Sequence, residues 1–177
     1  MNIDEILIFL YGKRSEFLGI NMLKKLCEDN KDFFDVLVTG IKNGKVFGFT
    51  ELLWQKIEEM NTRIYKSAID IFKDGKNIGA CNQMSIELSY LFDTIDLVSG
   101  FVPFFKGTPA SPDGRHCWLE DVNYLYDTST MLMISKDYIS SFGYLEKKRI
   151  PYSELKNNRM YRIAKDFATD KNIKKRR

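Results

Sequence analysis

Apolar residues recur every three or four positions over most of the first 72 residues, which is the spacing of amphipathic helices. A polar stretch from 73 to 80, with Gly75 and Gly79, predicts a loop, and a further helix opens at Cys81. From Ile95 onward the pattern changes to short apolar and alternating runs that are typical of strands. The pattern therefore predicts an α+β fold, with helices first and strands after them.

The helical part divides into several segments. The apolar spacing predicts one helix from Ile3 to Leu10 and a second from Phe17 to Leu26. Asp32 is the predicted N-cap of a third helix, and Asn43–Gly44 is a predicted turn. Thr50 is the predicted N-cap of a fourth helix, which continues to about Phe72.

Five later segments read as strands, since their apolar residues are β-formers and turn residues separate them. They are Leu97–Val102, Arg115–Val122, Tyr124–Thr128, Met131–Ile134 and Tyr144–Ile150. Two prolines and two glycines between Lys106 and Gly114 predict a loop there. Pro151 ends the last strand, and Ser153 begins a final helix.

Composition places these 177 residues in the class of globular proteins and predicts one domain. Hydrophobic residues at 44% exclude a disordered chain, and charged residues at 29% exclude a membrane-embedded one. The start from Met1 to Glu5 is acidic where a secretion signal would be basic. We therefore expect a cytoplasmic protein without a membrane partner.

The net charge of +3 comes from one end of the chain. Residues 171–177 form a basic tail that is expected to be disordered, and four of its cations occupy the last four positions. Without those four cations the formal charge would be −1. A body without excess positive charge argues against a nucleic-acid partner.

The cysteines and the histidine are few and scattered. Cys27, Cys81 and Cys117 form neither a disulfide framework nor a C-x-x-C pair, and His116 is the single histidine. Without paired ligand spacings the sequence predicts no metal site and no cofactor. If an imidazole moves protons near neutral pH in this protein, it belongs to His116.

Three separate segments carry residues that suit nucleophilic catalysis. Cys81 lies at a predicted helix start, where the helix dipole lowers a thiol pKa and free N–H groups can hold an oxyanion. Strand alternation places His116, Trp118 and Glu120 on one face, with Trp118 able to close the site against water. Asp127 follows His116 by eleven residues, so an antiparallel strand pair can bring its carboxylate to the imidazole.

The order Cys, His, Asp on a helix start, a strand and the next strand resembles the transglutaminase-like superfamily. Three motifs carry the resemblance, over about residues 75 to 135: Gly79-Ala80-Cys81, His116-x-Trp118-x-Glu120 and Tyr126-Asp127-Thr128-Ser129. The stretch Leu97–Val102 is similar to the strand that follows the nucleophile helix in that family. The resemblance implies a transglutaminase-like or papain-like fold, in which the nucleophile helix packs on an antiparallel sheet.

The resemblance also implies a Cys81–His116–Asp127 triad that forms a thioester with a protein or peptide substrate, with Trp118 at the substrate site. The expected activity is deamidation, peptide hydrolysis, transglutamination or another acyl transfer. The chain departs from the family at Thr128, where proline is usual, and in a short connection between the histidine and aspartate strands. Cys117 beside the histidine is unusual, and no acidic run suggests calcium sites.

Two other functions remain open from the sequence. The chain can be a binding module that has lost catalysis, with the three residues kept as structure and the basic tail docking an acidic partner. A weaker alternative is a metal site formed by Cys81, His116 and Asp127. If the protein is an enzyme, its substrate groove is expected between the Lys106–Gly114 loop and the loop before Cys81.

Overall fold

The computed structural model describes residues 1–12, 18–56, 59, 80–92, 94–108, 111 and 113–157. The helices are α1 (Ile3–Tyr11), α2 (Leu18–Asp29), α3 (Lys31–Lys42), α4 (Ala80–Leu88) and α5 (Tyr152–Leu155), and residues 51–56 are also helical. The strands are β1 (Val46–Gly48), β2 (Asp96–Phe101), β3 (Arg115–Glu120), β4 (Tyr124–Asp127), β5 (Leu132–Ser135) and β6 (Leu145–Ile150). Short 3₁₀ turns occupy Ser89–Leu91, Pro103–Phe105 and Lys136–Phe142.

Side-chain caps fix where two of the early helices begin. Asn2 caps α1: its side chain accepts from the Glu5 N–H at 2.9 Å, and the Glu5 carboxylate accepts from the Asn2 N–H at 2.8 Å. Helix α3 is capped by Asn30, whose side chain accepts from the Phe33 N–H at 3.0 Å. The prediction that Asp32 caps this helix is wrong, because Asp32 lies inside the first turn. Its negative charge there interacts favourably with the positive end of the helix dipole.

The strands form one antiparallel sheet of six, in the order β1-β5-β4-β3-β2-β6. All five predicted strands are present, and the α+β class with helices first is confirmed. The sequence missed β1, because its three residues follow the Asn43–Gly44 turn too closely to show a pattern of their own. Strands β3 and β4 lie at the centre of the sheet, so the residues they carry are held on both sides.

The register of β3 and β4 decides which side chains share a face. Leu119 pairs with Tyr126 and Glu120 pairs with Leu125. Since successive residues of a strand alternate between faces, His116, Trp118 and Glu120 lie on the face that also carries Leu125 and Asp127. The predicted alternation along the histidine strand is therefore confirmed.

The helices and the sheet share an aromatic core. Phe33 of α3 is buried and packs edge-on against Phe104 and Phe142, at ring-centroid distances of 5.4 and 5.7 Å. Tyr11 of α1 packs edge-on against Trp54 at 5.7 Å, and its hydroxyl donates to the Thr130 carbonyl just after β4. The first helix is thereby tied to the turn that follows Asp127.

Several predictions fall outside the described residues. These are the continuation of the fourth helix towards residue 72, the loop before Cys81, most of the last helix and the basic tail at 171–177. Within the described part of the chain, no helix is both long and apolar enough to cross a lipid bilayer.

Candidate active site

Cys81 is the second residue of α4, so the predicted helix start is correct to within one residue. The first N–H groups of a helix have no partner within it, and their dipoles concentrate positive potential at that end. The Cys81 side chain is partly exposed, whereas Cys27 is buried in the core among the N-terminal helices. Cys81 is thus placed where a thiolate is stabilised and a reagent can reach it.

His116 and Asp127 are joined directly, as the strand pairing predicted. The Nε2 atom of His116 lies 2.9 Å from Oδ2 of Asp127, and the two residues are 4% and 0% exposed. The other carboxylate oxygen, Oδ1, accepts from the backbone N–H groups of Ser129 at 2.8 Å and Thr130 at 3.2 Å. These bonds fix the carboxylate so that one oxygen faces the imidazole.

The charges of this pair are set by each other. Burial alone would raise the pKa of Asp127, but the His116 charge and the hydrogen bonds that it receives hold this pKa below its usual value. Burial alone would lower the pKa of His116, but Asp127 and Cys81 outweigh it and raise that pKa to about 10. An aspartate and an imidazolium therefore form a buried ion pair.

The Cys81 thiol has a strongly lowered pKa, of about 4. A hydrogen bond with the Cys117 side chain is the largest cause; burial opposes it, and the hydrogen bond and charge of His116 add to it. The thiol of Cys117 responds in the opposite direction, since the negative sulfur of Cys81 and burial both raise its pKa. Cys81 is accordingly the thiolate, and Cys117 remains a protonated donor.

The orientation of the imidazole gives each nitrogen one task. Nε2 is engaged with Asp127, which leaves Nδ1 as the nitrogen available to Cys81. A carboxylate that fixes the ring orientation and favours the imidazolium is the arrangement that lets histidine exchange a proton with a nucleophile. The three residues predicted from separate segments are thus brought into one chain of contacts.

Two aromatic rings pack against the imidazole of His116. Phe105 packs edge-on at a centroid distance of 4.9 Å, and Trp118 stacks at 6.2 Å with an interplanar angle of 27°. The Trp118 side chain is 1% exposed, and its Nε1–H donates to Glu120 at 2.8 Å. The role of Trp118 as a wall behind His116 fits this position, and its contact with substrate stays a prediction.

Glu120 holds the Trp118 indole in place and has charged partners that the sequence does not predict. Its buried carboxylate accepts from Trp118, from Lys136 and from Arg149 Nη2, the last at 2.7 Å. Burial opposes ionisation, but the hydrogen bonds from Arg149, Lys136 and Trp118 lower the pKa of Glu120. The indole is consequently held by an ionised carboxylate that is itself neutralised by two cations.

Tyr144 is a further site residue without any sequence signal. Its hydroxyl donates to Oδ2 of Asp127 at 2.5 Å, and its ring packs edge-on against Trp118 at 5.1 Å. In the sequence Tyr144 is only the first residue of a predicted strand, and its proximity to Asp127 depends on how β6 pairs with β2 across the sheet. Motif spacing alone does not carry that information.

The residues that the structure describes include no group of three or more His, Cys, Asp or Glu side chains arranged to hold a metal ion. The alternative metal site at Cys81, His116 and Asp127 therefore has no support in these residues. Part of the expected substrate rim, at residues 109, 110 and 112, lies outside the described chain.

Comparison with known proteins adds no relative. No family model, no curated protein and no solved structure matches the chain. The transglutaminase-like resemblance thus continues to rest on the Cys81, His116 and Asp127 motifs.

Proposed function

We propose that this protein is a transglutaminase-like cysteine enzyme that transfers acyl groups or hydrolyses amides through a thioester on Cys81. The observation that carries the proposal is the chain of contacts from the Cys81 sulfur to His116 and on to the fully buried Asp127. A partly exposed thiol with a pKa of about 4 is reactive at pH values where ordinary thiols are protonated.

The first half of the reaction uses the resting charges of the site. The Cys81 thiolate attacks an amide carbonyl, and the N–H groups at the start of α4 stabilise the oxyanion. The imidazolium of His116 gives its proton to the nitrogen of the leaving amine as the carbon–nitrogen bond breaks. The acyl group is left on sulfur as a thioester, and Asp127 holds the now neutral imidazole in place.

The second half returns the enzyme to its starting state. Water or an amine attacks the thioester, and His116 accepts the proton that the nucleophile loses. The thiolate leaves, and the product is a carboxylic acid with water or a new amide with an amine. The balance needs no metal or redox cofactor.

The arrangement of elements favours the transglutaminase-like fold within the α+β class. The nucleophile is at the start of a helix that packs on β3, and the histidine and aspartate follow on β3 and β4. Only the cysteine of the three is partly exposed, so a substrate approaches from the α4 side. We propose a protein or peptide amide as the substrate, including the side chain of glutamine, with deamidation or hydrolysis inside the cell as the working assignment.

Trapping the thioester tests the proposal. The purified protein is treated with a small activated ester and with glutamine-containing peptides, and the acylated residue is located by mass spectrometry. We expect acylation of Cys81 that is lost in Cys81→Ala and retained in Cys27→Ala. Added water-soluble amines or water alone then distinguish transfer from hydrolysis.

Two outcomes would remove the proposal. Equal acylation of Cys81→Ala and wild type would show that the label is not on the nucleophile. A wild-type Cys81 that accepts no acyl group from esters or peptides would favour the binding module without catalysis.

A further inference from the structure

Two groups donate to a single carboxylate oxygen at the centre of the site. His116 Nε2 lies 2.9 Å from Oδ2 of Asp127, and the Tyr144 hydroxyl donates to the same Oδ2 at 2.5 Å. The other oxygen is already occupied by the N–H groups of Ser129 and Thr130. Tyr144 therefore shares with His116 the charge of one oxygen atom rather than binding the carboxylate elsewhere.

Tyr144 is held in this position by its surroundings. Its side chain is buried, and its ring lies edge-on to Trp118 at 5.1 Å and to Phe105 at 6.1 Å. Burial and the negative charge of Asp127 both raise the pKa of its phenol well above the usual value. The hydroxyl thus stays protonated and acts as a permanent donor to Oδ2.

We propose that Tyr144 is a positioning residue that shares the negative charge of Asp127 with His116 and thereby controls how readily the imidazolium releases its proton. The proposal rests on the proposed function, because that function requires His116 to alternate between imidazolium and neutral imidazole.

The direction of this control follows from the two states of the imidazole. When His116 is charged, the cation itself satisfies Oδ2. When His116 is neutral, the buried carboxylate loses that ion pair, and the Tyr144 hydroxyl becomes a larger part of its stabilisation. Tyr144 accordingly favours the neutral imidazole, which is the state that accepts a proton when water or an amine attacks the thioester.

The single histidine makes this control measurable without a substrate. His116 is the chain's single imidazole, so its NMR titration needs no assignment among several histidines. Among the residues that the structure describes, the titratable groups around the Asp127–His116 pair are the thiols of Cys81 and Cys117 and the phenols of Tyr144 and Tyr11. Titration in the full-length Cys81→Ala variant separates the imidazole from the thiolate.

In that background, Tyr144→Phe should raise the pKa of His116 by roughly half a unit to one unit, since a hydrogen bond to a charged group is strong enough for a tenfold change in the proton equilibrium. The matched control is Tyr126→Phe. Tyr126 also donates to a carboxylate, Oδ2 of Asp121 at 2.7 Å, but it lies on the opposite face of β4 from Asp127. This control should leave the pKa of His116 unchanged.

A second replacement tests the opposite direction. Incorporating 3-fluorotyrosine at position 144 retains the ring and makes the phenol a stronger donor, so it should lower the pKa of His116. The 3-fluorotyrosine protein also tests the proposal if the Tyr144→Phe variant does not fold. A His116 pKa that is unchanged or lower in Tyr144→Phe, or unchanged or higher with 3-fluorotyrosine, would overturn the assignment, since a merely structural tyrosine would change only the stability.

These results are separable from those for the proposed function. If Cys81 is never acylated, the proposed function fails while the titrations of His116 still report on Tyr144. If acylation occurs and the titrations do not shift, only the role of Tyr144 fails.

Discussion

Replacing His116 by alanine should make the Cys81 thiol much harder to ionise. The pKa of Cys81 lies at about 4 instead of 9.0, with Cys117 as the largest cause and His116 contributing both a hydrogen bond and a charge. In His116→Ala the contribution of Cys117 and the opposing effect of burial remain, while both contributions of the imidazole are lost. Asp127 is also left without its cation, which disfavours a second negative charge nearby.

An order-of-magnitude size follows if the imidazole supplies a share of the lowering comparable to that of Cys117. If His116 accounts for half of the lowering, the pKa of Cys81 in the variant is about 6.5. At pH 5 the thiolate fraction then falls from about nine-tenths to about one-thirtieth, since each pKa unit is a tenfold change in the proton equilibrium. Because the thiolate is the form that reacts, alkylation at pH 5 should be slower by about 30-fold.

The assay is the rate of iodoacetamide labelling of Cys81 from pH 4 to pH 9, read by mass spectrometry in wild type and His116→Ala. Cys27 serves as an internal control, because burial is the main cause that raises its pKa to about 12 and it should stay unlabelled. Identical labelling profiles for the two proteins would refute the Cys81–His116 pair. A wild-type midpoint near 8.5, the value of an ordinary thiol, would do the same.

Three further results are expected. Cys117→Ala should raise the labelling midpoint of Cys81 by a unit or more, because the Cys117 thiol is the largest cause of its low pKa, and an unchanged midpoint would contradict that role. The lowered pKa of Cys81 gives stability that is fully present above pH 9.0 and is lost as the pH falls through about 4. The raised pKa of His116 gives stability that is fully present below pH 6.5 and is lost as the pH rises through about 10. Between pH 6.5 and 9 the gain from Cys81 and the loss from His116 cancel, so urea denaturation should show a plateau of maximal unfolding free energy there. A maximum at pH 5 would argue against the coupled pair. Gly100→Ala should lower the unfolding free energy by about 1–3 kcal/mol in the same assay, because its Cβ would lie 2.0 Å from the Leu145 carbonyl oxygen, and wild-type stability would contradict the close approach of the two strands.

Local sequence patterns were sufficient for most of the fold. The change from helical spacing to strand alternation near Ile95 is strong, and the resulting α+β order is the observed one. The candidate residues were also found locally, because a helix start, a strand and its antiparallel neighbour each leave a mark on the sequence. The eleven-residue spacing of His116 and Asp127 was enough to predict their contact.

The site features that the sequence does not show depend on tertiary contacts. Tyr144 reaches Asp127 because β6 pairs with β2, the strand that lies next to β3 in the sheet. Nothing near residue 144 in the sequence indicates that pairing. The role of Cys117 depends on the packing of α4, which brings Cys81 beside it. The near-complete burial of Trp118 likewise depends on tertiary packing, which its strand alternation does not report.

The two halves of the candidate site have different folding requirements. His116 and Asp127 lie on adjacent strands joined by the short segment 121–123, so closing the loop between them costs little entropy. Cys81 is 35 residues before His116 and must be brought to it by the packing of a separate helix. Because the hairpin contacts are local and the Cys81 contact is not, we expect the acid–base half to form before α4 brings the nucleophile to the sheet.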